Sequence, residues 1–75
     1  MERTTELIDK LERQWTKPFI RRTGDAWEAS GGLATAKKLA NADSAGEGPE
    51  GRVKLCGKIC YPSSSFFEWL RKQVG

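Results

Sequence analysis

At 75 residues, with 37% hydrophobic and 31% charged side chains, the chain has material for one small domain and no second core. A chain of this size buries only about 60% of the surface its unfolded form exposes, so the core has to be tight. Three tryptophans, three phenylalanines and one tyrosine, recurring at regular spacing, are too many for a disordered segment.

The formal net charge of +3 is mild but uneven: residues 1–30 carry six basic and six acidic side chains, whereas residues 31–75 carry seven and four. The whole excess therefore lies in the second part, and gathered on one surface it can attract a polyanion. No apolar run approaches the ~20 residues that span a bilayer, and the charged opening has no signal-peptide pattern, so a cytoplasmic protein with no membrane partner is expected. The chain has two cysteines and no histidine. Cys56 and Cys60 are spaced C-x3-C with nothing to complete a tetrahedral site, so neither zinc nor another cofactor is expected. A disulfide across a hairpin is geometrically conceivable; a cytoplasmic setting argues instead for two small apolar side chains in a strand pair.

In chain order, residues 4 to 15 predict a helix, capped by Thr4 or Thr5, with Leu7, Ile8, Leu11 and Trp15 on one stripe. Glu6→Lys10 and Asp9→Arg13 are i,i+4 pairs on its wet side, and Pro18 stops it. Phe19-Ile20-Arg21-Arg22 reads as an extended bridge. Thr23 suits the N-cap of a short second helix, residues 24 to 30, which ends at the Gly31-Gly32 turn. Thr35 caps a third helix running from Ala36 to about Ala45, with Gly46 as its C′ residue. After the rigid Glu47-Gly48-Pro49-Glu50-Gly51 loop, Arg52 to Tyr61 predicts a basic hairpin. A connection of about three residues around Gly57 and Lys58 would put Val53 and Leu55 on the same face as Ile59 and Tyr61. Pro62 ends the second strand. Ser63 or Ser64 caps a last helix with Phe66, Trp69, Leu70 and Val74 on its apolar face.

The expected fold class is mostly α with a small two-stranded β-ribbon. Helix, tight turn, helix, ribbon, helix is the order of a winged helix-turn-helix, here with an extra N-terminal helix. Residues 1–17 form that extra element and residues 18–75 the domain proper.

On the third helix, Ala36, Leu39, Ala42 and Asp43 lie toward one side, and Lys37, Lys38, Asn41, Ser44 and Ala45 toward the other. Asparagine can pair in bidentate fashion with adenine in the major groove, and lysine reaches guanine edges or phosphates. Two surface lysines ordinarily do no more than solubilise a helix. The neighbouring Gly-Gly turn and basic hairpin reverse that preference. Arg52, Lys54 and Lys58, expected to point away from the hairpin's apolar face, suit a phosphate backbone or minor groove, although edge strands also carry lysine as protection. Arg21 and Arg22 can bind phosphate beside the second helix or form a solvated pair. Catalysis is not expected. There is no nucleophile-plus-base constellation, and Gly46-Glu47-Gly48-Pro49 places an acid where a phosphate loop needs its anion. Asp25, Glu28 and Asp43 read as caps and solvated faces.

From about Pro18 to Arg71 the chain resembles the small winged-helix proteins of phages and integrated elements, the excisionase and AlpA-type regulators, related in fold to the MerR DNA-binding domain. The residues that carry this are Leu39 to Pro49, Arg52-Val53-Lys54-Leu55, Lys58-Ile59-Cys60-Tyr61-Pro62 and Phe67-Glu68-Trp69-Leu70. They are similar to the family's recognition helix, Gly-x-Gly-Pro turn, wing and closing helix. The chain departs from the pattern at Cys56-Gly57 in the wing tip, at the small Ala42, and at Ala34-Thr35-Ala36, which lacks Ser-Pro. The resemblance implies Lys37, Lys38, Asn41 and Ser44 in the major groove, with Arg52, Lys54 and Lys58 on the wing.

The expected function is sequence-preferring binding of double-stranded DNA by a protein of mobile-element origin, a transcriptional regulator or an excisionase. Its protein partners would be a second copy, a recombinase or a transcription protein. About five phosphate contacts would give a salt slope of roughly −4 to −5. The rival reading is a protein-interaction module on the same scaffold, using the stripe of the N-terminal helix; that stripe can equally cap the domain's own core.

Overall fold

The computed structural model describes residues 2–73, with side chains from Glu6 onward, so the expected place of Val74 on the last apolar face lies outside the described residues. The elements are α1 (Glu2–Gln14), β1 (Phe19–Arg21), α2 (Asp25–Ala29), α3 (Ala36–Ser44), β2 (Val53–Leu55), β3 (Lys58–Pro62) and α4 (Ser63–Gln73). Among the described residues there are four helices and a three-stranded antiparallel sheet in the order β1-β3-β2, a mixed α/β arrangement.

The sheet has one strand more than the sequence predicts. Phe19-Ile20-Arg21, expected as a bridge, pairs with β3 in the register Phe19↔Pro62, Ile20↔Tyr61, Arg21↔Cys60. Three residues carry too little local signal to declare a strand; pairing with a distant segment makes one. On the other side of β3, Val53 faces Cys60, Lys54 faces Ile59 and Leu55 faces Lys58. The connection is therefore Cys56-Gly57 alone, two residues with φ of 51° and 79°. Both central residues at positive φ give a turn whose twist matches its strands.

That turn is one residue shorter than expected, and a one-residue slip exchanges the two faces of a strand. Val53 and Leu55 do not join Ile59 and Tyr61. They lie on the opposite face with Phe19, Arg21, Lys58, Cys60 and Pro62, while Lys54 shares the face of Ile20, Ile59 and Tyr61. Val53 and Leu55 are exposed as a result, and Phe19 of β1 is exposed on the same face.

The core gathers Ile8, Ile20, Ala26, Ala29, Ala34, Leu39, Tyr61, Phe66, Phe67, Trp69 and Leu70, with Leu11, Trp15, Ala42 and Ile59 packed against it. α4 buries Phe67 as well as the predicted Phe66, Trp69 and Leu70 because it packs on α1, β1 and β3 together. Its Phe66 and Phe67 rings meet edge to face at 5.4 Å. The stripe of α1 is narrower than expected: Ile8 is buried, but Leu7 is 60% exposed. The α1 backbone is helical from Glu2, so Thr4 and Thr5 lie within the helix rather than capping it. Two of its acids serve tertiary contacts. Asp9 and Glu12 both accept from Arg71 of α4, each at 2.5 Å.

α2 starts after Gly24, at φ 99°, with no side-chain cap, so Thr23 does not fill the predicted role. Trp27, one of the three tryptophans, is 56% exposed and stays out of the core. It lies over Gly32, where a Cβ would meet its ring at 3.4 Å. Ser30 closes the turn into α3: its buried hydroxyl donates to the Trp27 carbonyl and accepts from the Ala34 N–H at 2.9 Å.

Candidate nucleic-acid interface

α3 begins and ends by local rules. The Thr35 hydroxyl accepts from the Lys38 N–H at 3.0 Å, the N-cap bond that threonine was expected to make. At the other end, Gly46 has φ 74°, its N–H donates to the Asp43 carbonyl, and the Glu47 N–H donates to the Ala42 carbonyl at 2.8 Å. That pair of bonds closes the helix with glycine at C′.

The two sides of α3 divide largely as the helical period predicts. Leu39 is buried and Ala36 and Ala42 are half-buried, whereas Lys37, Lys38, Asn41 and Ser44 are exposed. Asp43 breaks the expectation of a solvated or capping acid. Its side chain is only 7% exposed, and its Oδ2 accepts from the Tyr61 hydroxyl at 2.6 Å and from Arg22 Nη2 at 2.5 Å. Arg52 approaches the same oxygen at 3.6 Å. Arg22 Nε also donates to the Tyr61 oxygen at 3.0 Å, so guanidinium, phenol and carboxylate form a closed set. Burial, then the bond to Asp43, pushes the Tyr61 phenol up to about 12. The bond to Tyr61 is the main reason the Arg22 guanidinium is held above its usual value.

These contacts redistribute the expected site residues. Arg22 is an internal ligand of Asp43 and not a solvated pair with Arg21. Arg21 is committed elsewhere: its Nε and Nη2 grip Asp25 at 3.0 and 3.1 Å, and its backbone N–H donates to the same carboxylate. The Arg21 bond holds the Asp25 carboxyl below its usual range and raises the Arg21 guanidinium. Asp25 is buried, so it too is a structural counterion and not a solvated acid. Arg52 lies on the α3 side of the sheet, half-exposed and tied to Asp43. Lys54 shares that side, but Lys58 belongs to the opposite face with Leu55. The three hairpin cations therefore do not point one way.

Among the described residues, every ion pair is made by an arginine: Arg21, Arg22, Arg52 or Arg71. Lys37, Lys38, Lys54 and Lys58 are exposed and make none of them. The site thus holds free lysines beside Asn41 and Ser44, over an arginine–carboxylate framework.

Asp43 is the residue that sequence reading missed. An acid on the apolar side of a helix is a signal of a buried, paired charge, because a lone one would be too costly to bury. Its partners lie 18 and 21 residues away, at Tyr61 and Arg22, beyond any helical spacing.

The remaining chemistry is sparse. A groove of about 490 Å³ between the Gly46–Glu50 loop and α4 is lined by Glu47, Glu50, Glu68 and Lys72, a net negative set that disfavours a phosphate. Cys56 is exposed, Cys60 is buried, and both are free thiols. Among the described residues there is no cluster of metal-ligating side chains, and no helix is long and apolar enough to cross a membrane. Comparison with protein-family models, curated proteins and solved structures finds no match for this chain.

Proposed function

We propose that the chain binds double-stranded DNA with sequence preference, as a small winged helix-turn-helix of mobile-element type acting as a regulator or an excisionase. The observation that carries this reading is the division of α3. Its outer side offers Lys37, Lys38, Asn41 and Ser44 free of internal ion pairs, while Leu39 and Asp43 hold its inner side against the rest of the molecule. A helix presenting amide and ammonium groups on a fixed base is the element that reads base edges. β2 and β3 then act as the wing, with Lys54 on the α3 side. β1 enlarges the ribbon of such a fold to three strands. Nothing in this function needs catalysis or a cofactor.

The arginines count for less than the sequence suggests, because Arg21 and Arg22 already have carboxylate partners. The three unpaired lysines on the α3 side, Lys37, Lys38 and Lys54, would give a slope of log affinity against log salt of roughly −2 to −3. Selection of bound duplexes from a random pool, followed by mobility shifts at two salt concentrations, tests the reading. Asn41→Ala should cost about 1–3 kcal/mol and relax preference at one base pair. Unchanged affinity and unchanged preference would remove α3 from the interface.

The rival, a protein-interaction module working through the N-terminal helix, draws support from Leu7 alone. Ile8 lies in the common core, and Asp9 and Glu12 pair with α4. Deleting residues 1–16 removes all three contacts. Loss of the cooperative transition is expected; a folded monomer would favour the rival.

A further inference from the structure

Asp43 ties α3 to the sheet, whose strands are already joined to one another by backbone pairing. Its Oδ2 meets Arg22 from the β1–α2 junction, the hydroxyl of Tyr61 from β3, and Arg52 at the entry to β2. The neighbouring loop is built around the same carboxylate: a Cβ on Gly48 would stand 1.9 Å from Asp43 Oδ1. Gly48 is not at positive φ, so the need for glycine there is the space taken by Asp43.

Two consequences follow from one carboxylate shared by two guanidiniums. The helix that carries Lys37, Lys38 and Asn41 is tied to both strands of the hairpin at one point. Arg22 is held inward by a hydrogen-bonded ion pair, and the half-exposed Arg52 is drawn toward the same oxygen at 3.6 Å. Resting on the DNA-binding reading, we propose that Asp43 is a positioning residue: it sets α3 against the hairpin and keeps Arg22 and Arg52 off the phosphate backbone, so that sequence-specific contacts outweigh non-specific ones.

The test compares affinity for a selected duplex with affinity for an unrelated duplex of the same length, across a salt series, with the full chain. Asp43→Asn should lower the ratio of the two affinities about tenfold, the scale of one base contact. At the same time, binding of the unrelated duplex tightens and the salt slope steepens by about 1 to 2, as the released arginines reach phosphates. Gly48→Ala retains every charge and displaces chiefly the carboxylate, so it should lower the same ratio. It also carries the test if circular dichroism shows the Asp43 variant unfolded. A variant that weakens both duplexes by one common factor, with the slope unchanged, would show Asp43 to be a fold stabiliser only, and the inference falls. A wild-type chain that binds no duplex at low salt defeats the DNA-binding reading itself, before any variant is compared.

Discussion

α1 and α3 are each held on the common core by a buried aliphatic side chain and a cluster of arginine and carboxylate groups, yet the clusters differ in kind. On α1, Ile8 is fully buried, and Asp9 and Glu12 meet an Arg71 whose partners' side chains remain 44% and 36% exposed. On α3, Leu39 is fully buried, and Asp43, at 7%, meets the fully buried Tyr61 and a mostly buried Arg22. Solvent screens the first cluster, so its ionic worth is small. In the second, loss of either charge strands the other in a dry setting. A helix that serves only the core can be pinned by oil and a wet ion pair. One that has to keep a fixed angle to a neighbouring hairpin gains more from a directional polar joint.

The largest expected effects should not separate the two helices. Ile8→Ala and Leu39→Ala each remove a fully buried aliphatic side chain and should cost about 2–5 kcal/mol in urea unfolding. If either is silent, that helix is not part of the cooperative core.

The ionic clusters should separate them. Asp43→Asn is expected to cost about 3 kcal/mol, the low end for a broken buried pair, because Arg22 keeps 21% of its side chain in solvent. Arg71→Gln should cost about 1 kcal/mol or less. Equal losses from the two substitutions would erase the distinction between the joints.

The pH dependence sharpens the same contrast at the alkaline end. The Tyr61 phenol is raised from 10.0 to about 12 in the folded chain. The unfolded chain therefore releases this proton first, and the stabilisation, complete below about pH 10, is lost as pH rises toward about 12. Tyr61 is the only tyrosine, so its ultraviolet titration reports this site alone. Asp43→Asn should move that titration to lower pH, since Asp43 is one cause of the shift. An unmoved curve would assign the whole effect to burial. At the acidic end, the Asp25 carboxyl is held down by Arg21, so its contribution fades as pH falls below the ordinary aspartate range.

Much of the candidate site was legible because its signals are short-range. Thr35, the 3.6-residue spacing of Leu39 with the exposed lysines, and Gly46 act within one turn of helix. They predict α3 with its caps and its two sides. The hairpin was half legible. Alternation announced two strands, but the choice between two and three turn residues rests on Cys56 accepting φ 51°, which no pattern in the flanking residues demands. That single choice moved Val53 and Leu55 to the outer face and Lys54 to the inner one.

What the sequence determined by itself was local: the core stretches of the helices, the caps of α3, and the existence of a basic hairpin, all governed by neighbours within about four residues. The tertiary structure decided what depends on distant partners. Phe19–Arg21 became a strand only through β3, and Arg21 and Arg22 left the candidate interface for Asp25 and Asp43. Asp43, an acid on the apolar side of the helical wheel, became the joint between α3 and the sheet once Arg22 and Tyr61 were brought to it. A buried charge is defined by what surrounds it, and those surroundings exist only once the chain has folded.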